Sequence, residues 1–291
     1  MLIQDRDLTA EALAYRLFGV TRDKAVWRAA DILREDKLTA DPRRAELAWR
    51  SASRGYYAEQ AGLVAAAKLA ADTQDAALRF GLALATADEA RHADAFYQYA
   101  QTVGGELENC HEMIQPLDDA LTELPHMGRA LVHTMLEGFA ADDFHLLARE
   151  FADDAIGRLY SYIRRDEVQH VAIGLCYLAR ESATPTGREL WASRGAHWHE
   201  TGMRFTYLDA VARSHAAALG KDPAIIEQWL WRRHLARLSA AGIAPSAIGI
   251  QARPGTNGGD SAHDDRGGQD QGISSRSMQV HPPATGGHEV T

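Results

Sequence analysis

The five residues Asp88-Glu89-Ala90-Arg91-His92 return as Asp166-Glu167-Val168-Gln169-His170, an internal repeat of the form Asp-Glu-x-x-His. Residues three apart on an α-helix share a face, so Glu89 with His92, and Glu167 with His170, each aim one oxygen and one nitrogen the same way. Each pair is thereby suited to grip one metal ion. A single Glu-x-x-His is a weak signal, because glutamate is the commonest exposed helix residue. A second regularity adds weight: Glu59 stands thirty residues before Glu89, and Glu137 stands thirty before Glu167. Two antiparallel helices joined by a short turn bring residues thirty apart back to about the same height, which sets Glu59 beside Glu89 and Glu137 beside Glu167. Four carboxylates and two imidazoles then converge.

The flanks suit a buried setting. Gly62, Leu63 and Ala66 follow Glu59, and Leu136, Gly138, Phe139 and Ala140 surround Glu137. Four carboxylates in an apolar bundle do not all stay ionised without compensation, because isolated buried charge is costly and like charges raise each other's pKa. Two divalent cations supply that compensation. Oxygen and imidazole donors without thiolates suit iron or manganese better than structural zinc.

The elements that must position these groups are helices. From Thr9 to about Ala241 the chain is rich in Ala, Leu, Arg and Glu, with apolar residues recurring at three- and four-residue steps. This predicts an all-α region with short helices at 9–18 and 23–35, long ones near 43–71, 74–104, 126–152 and 154–181, and two more at 186–219 and 223–240. Breaks fall at Asp41-Pro42, Gly104-Gly105, Pro125, Thr184-Pro185 and Gly220. Residues 1–244 are expected to form one helical domain. Residues 245–291, full of Gly, Asp, Gln, Ser and Pro, read as a disordered low-complexity tail with too little apolar surface to offset its ordering entropy.

Bulk properties exclude several classes. The 291 residues carry a formal charge of −9, against a nucleic-acid partner, which calls for a basic patch. The start, MLIQDRDLTA, lacks the basic and then apolar pattern of a secretory signal, and the most apolar run is interrupted by Lys68, so no membrane role and a cytoplasmic location are expected. The two cysteines, Cys110 and Cys176, form no C-x-x-C pair, which argues against a disulfide framework, a zinc site or an iron–sulfur cluster.

In the order Glu59, Glu89/His92, Glu137, Glu167/His170, residues 43–181 resemble the ferritin-like diiron carboxylate proteins, whose four core helices carry a Glu, a Glu-x-x-His, a Glu and a second Glu-x-x-His. The repeated Asp-Glu-x-x-His is closer to their oxygenase and ribonucleotide reductase small-subunit branch than to ferritin. The resemblance implies a ferritin-like four-helix bundle core with additional N- and C-terminal helices, holding two Fe ions, with Mn in one or both sites as the alternative. Glu89 and Glu167 would bridge the metals, and Glu59 and Glu137 would be terminal ligands. Asp88 and Asp166 would accept from the distal ring N–H of a ligand histidine across the bundle. The implied activity is a non-haem diiron oxygenase that uses O2 and external electrons to hydroxylate or N-oxygenate a small organic metabolite. A separate reductase or ferredoxin would deliver the electrons, and a homodimer is an assembly open to it. Two alternatives remain: a ferroxidase or iron-handling protein, and a radical-generating subunit of a larger enzyme.

The chain departs from each subclass. Phe96 stands where reductase subunits carry a radical Tyr, Ala141 where soluble methane and toluene monooxygenases carry Thr, and Ile163 where arylamine N-oxygenases add a seventh ligand His. Rubrerythrin's Cys-rich module is missing. His133, one turn before Glu137, has two readings, an extra ligand or proton donor and, favoured over it, an ordinary core or surface histidine; His197, His199 and Glu200 read as surface. Tyr56, Phe96, Phe139 and Phe144 are candidates for the wall of a substrate pocket.

Overall fold

A computed structural model of the chain describes residues 13–110 and 114–245, and the tail expected from 245 lies, beyond that residue, outside the described residues. Ten helices and no strand occur among the described residues: α1 Leu13–Arg22, α2 Ala29–Glu35, α3 Pro42–Asp72, α4 Ala76–Val103, α5 Ile114–Thr122, α6 His126–Glu150, α7 Ala155–Ser182, α8 Pro185–Phe205, α9 Leu208–Leu219 and α10 Pro223–Ala240. The long hairpins α3/α4 and α6/α7 pack into a four-helix bundle, with α1 and α2 laid on α4 and α7 and with α8, α9 and α10 laid on α6. No described helix is long and apolar enough to cross a membrane.

The hairpins start where cap chemistry places them. Asp41, Asp75 and Asp154 accept from the free N–H groups of Arg43 (3.0 Å), Leu78 (2.6 Å) and Ile156 (2.9 Å), which begins α3, α4 and α7. Pro42, Pro185 and Pro223 occupy first helical positions, where the missing N–H costs nothing.

Two apolar clusters fill the bundle, one toward each end. One gathers Leu69, Leu82, Leu131, Met135 and Ile173 with Trp198; the other gathers Ala52, Phe96, Phe144, Leu159 and Tyr160. On each of α3, α4, α6 and α7 the glutamates fall between the two. A polar layer is thus capped by apolar side chains above and below, and this low-dielectric setting strengthens the electrostatic contacts inside.

Several elements differ from those expected, beginning with α1, which runs to Arg22 rather than ending at 18. The helix at 23–35 forms only as Ala29–Glu35, because the preceding stretch runs extended at Arg28 (φ −126°, ψ 131°) while Lys24 and Trp27 reach into the bundle. α5 is an added helix, with Pro116 in its first turn, where proline is tolerated. The helix expected over 186–219 is two, broken at Thr206 and at Tyr207, whose φ of 46° is left-handed. Neither residue is a helix breaker, so the break has no local signal in the sequence.

Candidate metal centre

Glu59 comes from α3, Glu89 and His92 from α4, Glu137 from α6, and Glu167 and His170 from α7; none is more than 6% exposed. Their donor atoms form two overlapping groups: Glu59, Glu89, His92 and Glu167 in one, and Glu89, Glu137, Glu167 and His170 in the other. Within each group every donor lies within 4.8 Å of the others, and Glu89 and Glu167 belong to both. His92 Nδ1 is 3.1 Å from Glu167 Oε1 and 3.4 Å from Glu59 Oε2. His170 Nδ1 is 3.2 Å from both Glu89 Oε1 and Glu137 Oε2. Gly62, one turn after Glu59, makes room, since a Cβ there would sit 2.7 Å from Glu89 Oε2.

These contacts leave polar atoms without hydrogen bonds. Glu89 Oε1, both oxygens of Glu167 and His92 Nδ1 are buried and lack a partner of suitable geometry. Unpaired buried polar atoms are rare because each costs free energy, and here they face one another. Ligands about 2.1 Å from a common ion stand about 3 Å apart, so the spacing and donor set fit divalent ions bound by oxygen and imidazole.

The electrostatics agree. Burial pushes Glu59 up to about 7, and burial together with the charge of neighbouring glutamates pushes Glu89 and Glu167 well above the ordinary carboxylate range. Burial alone would lower His92, but the nearby carboxylates of Asp166, Glu167 and Glu89 lift it to about 9, and carboxylates likewise lift His170. Protons thus take the place of positive charge.

An outer shell fixes the rings. His92 Nε2 lies 3.2 Å from Asp166 Oδ2 and His170 Nε2 lies 3.2 Å from Asp88 Oδ2, so each half's aspartate meets the other half's histidine. That contact holds each ring with Nδ1 turned to the glutamates. Burial opposes the charge on both aspartates, but the histidine and Lys24 contacts prevail, bringing Asp88 to about 2 and Asp166 well below its usual range. Arg91 Nη2 donates to Asp88 Oδ1 (2.5 Å) and Asp166 Oδ2 (2.8 Å). Trp27 stacks on His92, rings 6.0 Å apart and 10° from parallel. Arg91 lies within the repeated motif, three residues from Asp88, and that spacing could have revealed it. Lys24 and Trp27 carry no comparable signal.

A cavity of about 290 Å³ adjoins the cluster on the α3/α6 side, lined by Glu59, Glu137 and Glu167 and by apolar side chains including Leu121, Phe139 and Phe144. Tyr57 and Tyr160 also line it, whereas Tyr56 stacks edge-on with Tyr57 and Phe96 is wholly buried in the second apolar cluster. α5 supplies Leu117 and Leu121, so the helix missing from the sequence reading is part of the wall. His133 is buried at the cavity edge with Nε2 3.1 Å from Glu137 Oε1, outside both donor groups. His199, expected at the surface, is instead buried, with its Nε2 2.8 Å from His234 Nε2, because α10 packs over it.

Solved structures share this fold. Three variants of R2-like ligand-binding oxidase, each with an anaerobically reconstituted Mn/Fe cofactor, superpose with TM-scores of 0.53, 0.54 and 0.51 at 18%, 16% and 17% identity. Each covers 79% of this chain, and 93–94% of its own length is matched. The fold is that of the R2-like ligand-binding oxidases. The ferritin-like architecture is therefore present, with α1, α2 and α8–α10 as its additions. No protein-family model matches the sequence, and no curated protein does.

Proposed function

We propose that Glu59, Glu89, His92, Glu137, Glu167 and His170 hold two metal ions, iron with iron or manganese with iron, and that the protein is an O2-dependent oxidase of a small apolar organic molecule. The observation that carries this is the set of buried, mutually facing, unpartnered atoms on Glu89, Glu167 and His92. Glu89 and Glu167, common to both groups, would bridge the ions, and Glu59 and Glu137 would each serve one. When bound and reduced, such a pair supplies the electrons that convert O2 into an oxidant. The chain itself orients and shields: Asp88 and Asp166 hold the imidazoles, and the apolar clusters cap the polar layer. Phe139 and Phe144 offer an organic molecule a dry surface next to the glutamates.

The Mn/Fe cofactor of the structural neighbours supports the choice of metals. The cavity favours oxidation of an organic substrate over iron handling, which needs no aromatic wall. Insertion of one oxygen atom, at carbon or at nitrogen, is the reaction we favour, with two electrons per turnover from a separate reductase or ferredoxin. The test is metal analysis of the purified chain, followed by anaerobic ferrous loading and O2 admission with candidate substrates in 18O-labelled gas. About two metals per chain, with label in the product, are expected. Zinc alone, or no metal and no O2 uptake, would sink the reading.

A further inference from the structure

The stretch 23–28 between α1 and α2 lies outside the four-helix core, yet two of its side chains enter the polar layer. Lys24 Nζ donates to Asp88 Oδ2 and, at 2.8 Å, to Asp166 Oδ1. Trp27 Nε1 donates to Asp166 Oδ2 at 3.0 Å. Arg91 bridges the same two aspartates from within α4, so all four aspartate oxygens are engaged. Through them a single ammonium touches both histidine–aspartate pairs, one from each half of the bundle. Its side chain is 14% exposed.

The charges around this layer can be counted. Lys24 and Arg91 offset Asp88 and Asp166, which leaves the four glutamates to balance two divalent ions. The assembly is neutral with both ions divalent and gains positive charge with each electron lost. Uncompensated charge in a buried layer is costly, so a fixed cation here disfavours the oxidised pair. We propose that Lys24 is a positioning residue of the metal centre, clamping both outer aspartates from a segment outside the bundle and holding the midpoint potential of the bound metals up. This rests on the dimetal reading above.

The experiment uses the full chain reconstituted with ferrous ion. Midpoint potentials are measured by mediated optical or EPR titration for wild type, Lys24→Met, Lys24→Gln and Lys24→Arg, with metal per chain and the melting temperature of the metal-free protein alongside. The two neutral variants should load two ions per chain and favour oxidation at least tenfold, a potential lower by about 59 mV for a one-electron step. Lys24→Arg should stay at the wild-type value, since it keeps the charge and can span both carboxylates. Unchanged potentials in both neutral variants at full loading would overturn the proposal, and so would an arginine variant shifted as far as the methionine one. A metal-free chain that folds only with a cation at position 24 makes Lys24 part of the fold and overturns it equally. A wild-type chain that takes up no metal removes the dimetal reading and the proposal together, whereas the other outcomes leave that reading standing.

Discussion

His92 and His170, between α4 and α7, meet carboxylates at both ring nitrogens, whereas His199 and His234, between α8 and α10, meet each other, with Phe139 and Trp231 against His234. All four are buried. Burial by itself disfavours the imidazolium in every case, and the partner decides the outcome. Carboxylates reverse the effect in the bundle core and lift His92 to about 9, while burial goes unopposed in the outer layer, where His199 falls to about 4 and His234 to about 3. The core therefore attracts positive charge and the outer layer repels it. His215 shows that the partner matters more than the layer. It lies on α9, but its Nε2 is 2.6 Å from Asp143 Oδ1, and it is raised to about 9 against the pull of burial.

The largest test of that contrast removes the carboxylates that make the core attractive to cations. Glu167→Ala, which takes a donor from both groups, should drop metal content from about two per chain to none by elemental analysis. Asp166→Asn should weaken binding about 10–100-fold in a chelator competition, because the ring of His92 loses its negatively charged acceptor. Retention of two ions by Glu167→Ala would break the comparison.

The next test concerns the outer layer. The unfolded chain protonates His199 and His234 near 6.5, but the folded chain resists until about 4 and 3. At these two sites the unfolded state thus binds more protons as pH falls below 6.5, which removes up to about 1.4 kcal/mol of stability per pH unit for each histidine, while the raised Glu59, Glu89 and Glu167 of the metal-free core act with the opposite sign. Urea denaturation between pH 7 and 4, compared between wild type and a histidine variant, isolates this part of the slope. His234→Phe, which keeps a ring against Phe139 and Trp231, should flatten it at some cost in stability at pH 7, since His199 loses its partner.

His215 sets the opposite sign. Its folded pKa is raised, so its contribution is fully present below about 6.5 and is lost as pH rises through about 9. His215→Gln should shrink the alkaline decline by the share of this one histidine, leaving the part set by His92 and His170 in the metal-free chain and leaving the acid limb intact, and an unchanged alkaline limb would mean that the contact with Asp143 contributes nothing. The smallest effect is local. Tyr207 holds a left-handed φ of 46° at the α8–α9 break, so Tyr207→Gly should raise stability by about 1 kcal/mol in the same denaturation assay, despite the added freedom of the unfolded chain.

The all-α class, the four long core helices and the Glu-x-x-His repeat with its thirty-residue returns could be read from the chain as written. They depend on distances along one strand of sequence and on a 3.6-residue period, both of which survive without knowledge of what packs where. The extended stretch carrying Lys24 and Trp27, the helix at 114–122 and the break at Tyr207 could not. Lys24 meets partners 64 and 142 residues away, and Trp27 one 139 residues away. His199 misled for the same reason, since its burial comes from His234 on a helix 35 residues further on. Periodicity says which face of a helix is apolar, but the charge of a buried histidine and the shape of a cavity are set by which other segments arrive there, and that is fixed only when the whole chain has folded.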